Sequence, residues 1–219
     1  MSPRLPRIVA GLCGILGAVV LVSSFLMNPA PPADFSLAQL RDFAIEHHNR
    51  IVFGAWLQGI GSLLLVLFAI ALVHLAGATH RFAGWITLLA GATILMVSLV
   101  EITFYLGAVQ AAEVGDLTSG AVSNALIKAV QHVFLIAPAL LLPLGVVLLG
   151  SRVLPRTFAY LALLIGATLQ TFGLVGLFGV LQPVIDDVLI VQALWFVAAG
   201  FALMIGEPRA RRLAPAAKF

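Results

Sequence analysis

Charge is scarce in this chain. Asp, Glu, Lys and Arg make up 10% of its 219 residues, against about a quarter in soluble domains. Hydrophobic residues reach 62% and the mean hydropathy is +1.12. A water-soluble fold this apolar would be left with large sticky patches, so the composition fits the bilayer as solvent. Cysteine is nearly absent as well. Cys13 stands alone, which excludes an intrachain disulfide framework and a cysteine-based metal motif. The net charge of +3 does not point to nucleic acid, because the basic residues sit in short pieces between apolar runs rather than on one face. The chain also lacks nucleotide-binding loops, a large soluble domain and arginine-rich voltage-sensor helices, which argues against a powered pump acting alone.

What is abundant is long apolar sequence. A spanning helix needs roughly 20 mainly apolar residues, and six stretches qualify: about 8–27, 51–76, 82–109, 121–149, 157–181 and 184–206. The expected fold is therefore a single all-α domain, 1–219, an integral membrane bundle of six transmembrane helices. Arg4 and Arg7 before the first run resemble a signal peptide. The run is longer than the roughly 7–15 residues of a signal core, and Asn28-Pro29-Ala30-Pro31-Pro32 is a poor cleavage site. A retained first helix is expected. Between the first two spans, Ser36 is a plausible N-cap, and Phe35, Leu40, Phe43 and Ile45 recur among charges. A short amphipathic helix, lying on the membrane or running on into the second span, follows from that pattern.

Orientation follows from Lys and Arg in short loops. With six spans, Arg4, Arg7, Arg81, Arg152, Arg156, Arg209, Arg211, Arg212 and Lys218 fall on one side, against Arg41, Arg50 and Lys128 on the other. Nine against three places both termini in the cytoplasm of a multi-pass plasma-membrane protein. Asp34, Asp42, Glu46, Glu113, Asp116, Asp186 and Asp187 collect on the outer side; the last two complement the positive end of the sixth span. His74 and His80 fall at the inner membrane edge, and Trp56, Trp85, Trp195 and Tyr105 read as core or interfacial aromatics.

Gly11, Gly14 and Gly17, and later Gly173, Gly176 and Gly179, let helix backbones approach closely in lipid. Pro138 and Pro143 should bend the fourth span. Residues 54–61 and 166–173 agree at five of eight positions, and spans two and five run in opposite directions. An inverted three-plus-three repeat would have that form, although Gly-, Ala- and Leu-rich chains match easily by chance.

Leu148-Leu149-Gly150-Ser151-Arg152-Val153-Leu154-Pro155-Arg156-Thr157-Phe158 leads into a Gly/Leu-rich span, and Arg7-Ile8-Val9-Ala10-Gly11-Leu12 opens the first. Together they resemble a family of small bacterial six-helix membrane proteins classed as a domain of unknown function. The resemblance implies the same topology and no established activity or catalytic residues.

Function must then reside in the few polar residues of the spans. Glu101 lies 20 residues beyond Arg81, and His132 lies 20 before Arg152. At 1.5 Å per residue both are roughly 30 Å from the inner end, at one depth in the outer leaflet. Lys128 is one turn above His132, and Tyr105 one turn above Glu101. Gln58 reaches a similar depth, and Gln170 lies nearer the middle. An outward-facing ligand pocket can be drawn from Glu101, Lys128, His132, Gln58, Gln170 and Tyr105, with Glu46, His47 and His48 as its rim. Glu101 and Lys128 are expected to pair, as a functional or a structural couple, since ionisable groups in a bilayer seek a partner or a cavity. A metal site is not expected, because Glu46, His47 and His48 fan out by roughly 100° each on a helix, and no HxxxH or HExxH pair exists. Ser62, Ser98 and Ser123 lack any sequence context that activates a hydrolase serine.

These residues point first to a non-catalytic protein that binds or moves a small or lipophilic ligand, as a homo-oligomer or beside partner membrane subunits. A membrane-embedded enzyme using Glu101 and His132, and a purely structural subunit of a larger complex, are the alternatives. No residue pattern specifies a cofactor, and membrane lipid is the one partner composition requires.

Overall fold

A computed structural model of the chain describes residues 4–29, 31, 35–136, 140–176 and 182–206. It is all helical: α1 (Leu5–Met27), α2 (Leu37–Glu46), α3 (His48–Leu75), α4 (Phe82–Val114), α5 (Leu117–Ile136), α6 (Leu141–Leu149), α7 (Arg156–Gly176) and α8 (Gln182–Ile205). No strand occurs among the described residues.

Local sequence sets the helix ends. Proline in the first turn of α1 occupies a position whose N–H has no intrahelical partner. Asn28, which precedes Pro29, is extended and closes the helix, as the steric demand of the following proline ring favours. Ser36 caps α2: its hydroxyl accepts from the Gln39 N–H while the Gln39 side chain accepts from the Ser36 N–H, a reciprocal capping box. α3 ends in a Schellman turn in which Gly77 N–H reaches His74 and Ala78 N–H reaches Val73. Gly77 takes φ +63° there, which a side chain would oppose. Gly115, at φ +75°, turns α4 into α5 in the same way.

Of the stretch expected as one bent span, 121–149, the described parts are α5, to Ile136, and α6, from Leu141. Pro143 falls in the first turn of α6, where a missing N–H is harmless, and Pro138 lies outside the described residues. α1, α3 and α8 begin and end within three residues of the expected apolar stretches, α4 runs on five residues to Val114, and α7 is described to Gly176, the rest of its expected stretch lying outside the described residues. Among the described residues, four helical segments are long and apolar enough to cross a membrane: Leu5–Met27, His48–Leu75, Phe82–Val114 and Arg156–Val175. Leu189–Ile205 is a shorter apolar helix.

α3 is central. It packs on α1, α4 and α6, while α1 also packs on α8, and α7 on α5, α6 and α8. Phe68, Leu72, Leu141, Leu144, Leu148, Phe196 and Leu203 are fully buried in the core. The expected close approach of the first glycine row is present. A Cβ on Gly11 would stand 2.6 Å from the Gly200 carbonyl oxygen of α8, and one on Gly17 2.9 Å from the Leu65 nitrogen of α3. Gly61 answers from the other side, 2.7 Å from the Leu21 nitrogen on the same measure. Of the later glycine row, Gly173 is buried and Gly179 lies outside the described residues. Large apolar side chains such as Val9, Leu26, Leu89, Met96, Leu164 and Leu194 point outward, which suits a lipid-facing surface.

Candidate functional site

α3 and α4 run antiparallel, and their polar residues meet across one seam. Gln58 Nε2 donates to Glu101 Oε2 at 2.7 Å. The two residues are only 4% and 7% exposed, so water does not compete for this bond. Tyr105, one turn further out on α4, also hydrogen-bonds the Glu101 carboxyl. One turn deeper, the Ser62 and Ser98 hydroxyls meet at 2.8 Å, both buried. The spacing explains the ladder: Ser62 is Gln58 plus four and Ser98 is Glu101 minus three, so each pair shares a helix face. Buried polar groups are stable only when partnered, and each rung supplies the partner the other helix needs.

The structure divides the remaining expected pocket residues. Lys128 is exposed on α5 and makes no ion pair with Glu101; the described residues include an ion pair between His48 and Glu113. The expected Glu101–Lys128 couple is therefore corrected. The carboxyl faces α3, where an amide satisfies it, while the Lys128 side chain is exposed. The side chain of His132 lies outside the described residues. Gln170 is half-buried on α7, whose main neighbours are α5, α6 and α8.

The expected rim residues separate at the α2–α3 junction. Glu46 is exposed. His47 stacks on Phe43, with ring centroids 4.3 Å apart, and its Nδ1 lies 3.1 Å from the Phe43 carbonyl oxygen. His48 reaches Glu113 at 3.0 Å, tying the start of α3 to the end of α4. Arg41 donates to the Ala112 carbonyl oxygen at 3.3 Å, holding α2 over the end of α4 and the start of α5. Below α2 lies a cavity of about 10 Å³ bordered by Leu40, Arg41, Ala108, Ala112, Asp116 and Asn124, room for one water. A larger open groove of about 430 Å³ runs along the outside of α4, past Leu95, Met96, Leu99 and Thr103. Leu99 and Thr103 lie roughly 160° around the helix from Glu101, so the groove faces away from the polar seam. Among the described residues, no group of three His, Cys, Asp or Glu side chains is placed to hold a metal ion.

Asp116 joins α4 to α5. Its carboxylate accepts from the Ser119 N–H at 3.0 Å and the Ser119 hydroxyl at 2.6 Å. The hydroxyl bond first, then the backbone bond, holds the Asp116 carboxyl below the usual aspartate range. The serine rung and the α2 clasp escaped sequence reasoning. The signal for the rung is the spacing: Ser62 at i+4 from Gln58 and Ser98 at i−3 from Glu101 share the faces of those residues.

Helices of this length and apolarity, with apolar side chains turned outward, define a multi-pass membrane protein. Within that class, the family model described as Domain of unknown function (DUF4386) matches residues 7–207, and the chain belongs to that family. Comparison with curated proteins and with solved structures finds no match.

Proposed function

We propose that the chain is a six-span plasma-membrane protein of bacterial type, with both termini cytoplasmic, that binds a small or lipophilic ligand at the outer part of the α3–α4 seam. In this reading α5 and α6 together make the fourth crossing and α8 the sixth. The basic bias of nine to three sets the orientation. The observation that carries the binding site is the buried Gln58–Glu101 bond at 2.7 Å. A carboxyl and an amide inside an apolar bundle are costly to retain, and such groups mark ligand or ion sites by default. Gln58, Glu101 and Tyr105 offer both donors and acceptors to an incoming group; Lys128, exposed on α5, takes no part in this reading.

The test is retention. Native mass spectrometry and solvent extraction of protein purified in mild detergent should find a co-purifying small molecule in the wild type. Glu101→Gln and Gln58→Leu should each lose it. A folded wild type that carries nothing but bulk lipid would make the seam a structural clamp instead, and the chain a scaffold subunit.

A further inference from the structure

We propose that Glu101 is a reversible proton-binding site, loaded from the outer side through Tyr105 and the one-water cavity beneath α2. The inference names the proton as a ligand of the Gln58–Glu101 site, and so rests on that pair being a binding site rather than a clamp. Three geometric observations carry it.

The first is that no described side chain supplies a countercharge. α3, α5, α2 and α6 pack against α4. From α3 come His48 and Arg50 at its outer end and His74 at its inner end; from α2, Arg41, Asp42 and Glu46; from α5, Lys128 and His132; from α6, none. Among the described side chains, none forms an ion pair with Glu101. A buried carboxylate without a cation is strongly disfavoured, and a proton is the simplest neutralising ligand.

The second is the partner. Gln58 presents an amide at 2.7 Å. Its NH₂ donates to a carboxylate; turned over, its carbonyl accepts from a carboxylic O–H. One contact thus serves both protonation states, with no rearrangement of the helices.

The third is a way out. Tyr105 touches the carboxyl. Ala108, the next residue on that face, borders the small cavity, as do Asn124 and the exposed Asp116. A proton from outer water passes to the cavity water, then by the phenol to the carboxylate, leaving neutral Glu101 and restoring both carriers. No oxidant or second substrate is needed.

Infrared difference spectroscopy on protein in lipid nanodiscs, with pH steps and exchange into D₂O, tests this. The wild type should show a carboxylic C=O band that converts to carboxylate as pH rises and shifts down in D₂O. Glu101→Gln should lose the band. Gln58→Leu should keep it at higher frequency, because the carboxylic O–H loses the amide carbonyl that accepts from it, and Tyr105→Phe should keep it but slow its deuteration. A band that never converts while the protein stays folded, a carboxylate at every pH, or unchanged deuteration in Tyr105→Phe would each overturn the proposal. If the band titrates but no small molecule is retained, the proton stands as the ligand and the small-molecule reading fails alone.

Discussion

Gln58 and Glu101 are 43 positions apart in sequence, and each is the other's means of being buried. Removing one leaves a buried polar group unsatisfied, which costs about 1–3 kcal/mol, whereas replacing both with apolar groups of similar shape is nearly neutral. Gln58→Leu alone should therefore lower stability in detergent by that amount, and Gln58→Leu with Glu101→Met should recover most of it. Thermal unfolding followed by circular dichroism reads the cycle. Lys128→Met, at an exposed position, should stay within about 0.5 kcal/mol of wild type and add simply to Glu101→Gln; coupling between those two would show that the helices pack differently. At the turn between α4 and α5, Asp116→Ala should speed amide exchange in the first turn of α5. Because the folded state holds Asp116 below the usual aspartate range, its contribution is present above the unfolded value and fades as pH falls through the folded one. The wild type and the variant should accordingly converge in acid; a gap that persists in strong acid would rule the carboxylate out as the cap.

Elements meet where glycine allows it. An added methyl at Gly61 collides with the backbone of Leu21, at 2.7 Å, while at Gly59 it meets the tip of Ile102, at 3.2 Å. Backbone cannot move aside cheaply and a side-chain tip can. Gly61→Ala should cost about 1–3 kcal/mol through overpacking of α1 on α3. Gly59→Ala should be neutral or stabilising, since alanine favours helix over glycine by up to about 1 kcal/mol. Equal effects at the two sites would deny that α1 and α3 approach so closely. α2 depends on its cap in a similar way: Ser36→Ala removes one half of the capping box, and hydrogen exchange along 37–46 should accelerate.

For the whole molecule, the prediction is topological. In a Cys13→Ala background, a membrane-impermeant maleimide should label Thr118→Cys on intact cells. His80→Cys, in the exposed turn between α3 and α4, should react only after permeabilisation. The reverse pattern would invert the protein and put the α2 clasp in the cytoplasm.

Composition alone determined the solvent: 10% charge and a mean hydropathy of +1.12 leave no soluble core able to hide so much apolar surface. Local chemistry determined helix ends, from Ser36 through Gly77 and Gly115, because caps and left-handed turns involve residues within one turn of each other. Helix rise offers Gln58, Lys128 and His132 as equal candidates at the level of Glu101. Only the tertiary structure chose among the described ones. Which face of α4 meets α3 depends on helix rotation and register, set by close contacts such as Gly91 with Val66 and by the serine rung at Ser62–Ser98. That rotation turns Glu101 toward an amide and leaves Lys128 outside, a choice between distant residues that neither periodicity nor depth encodes.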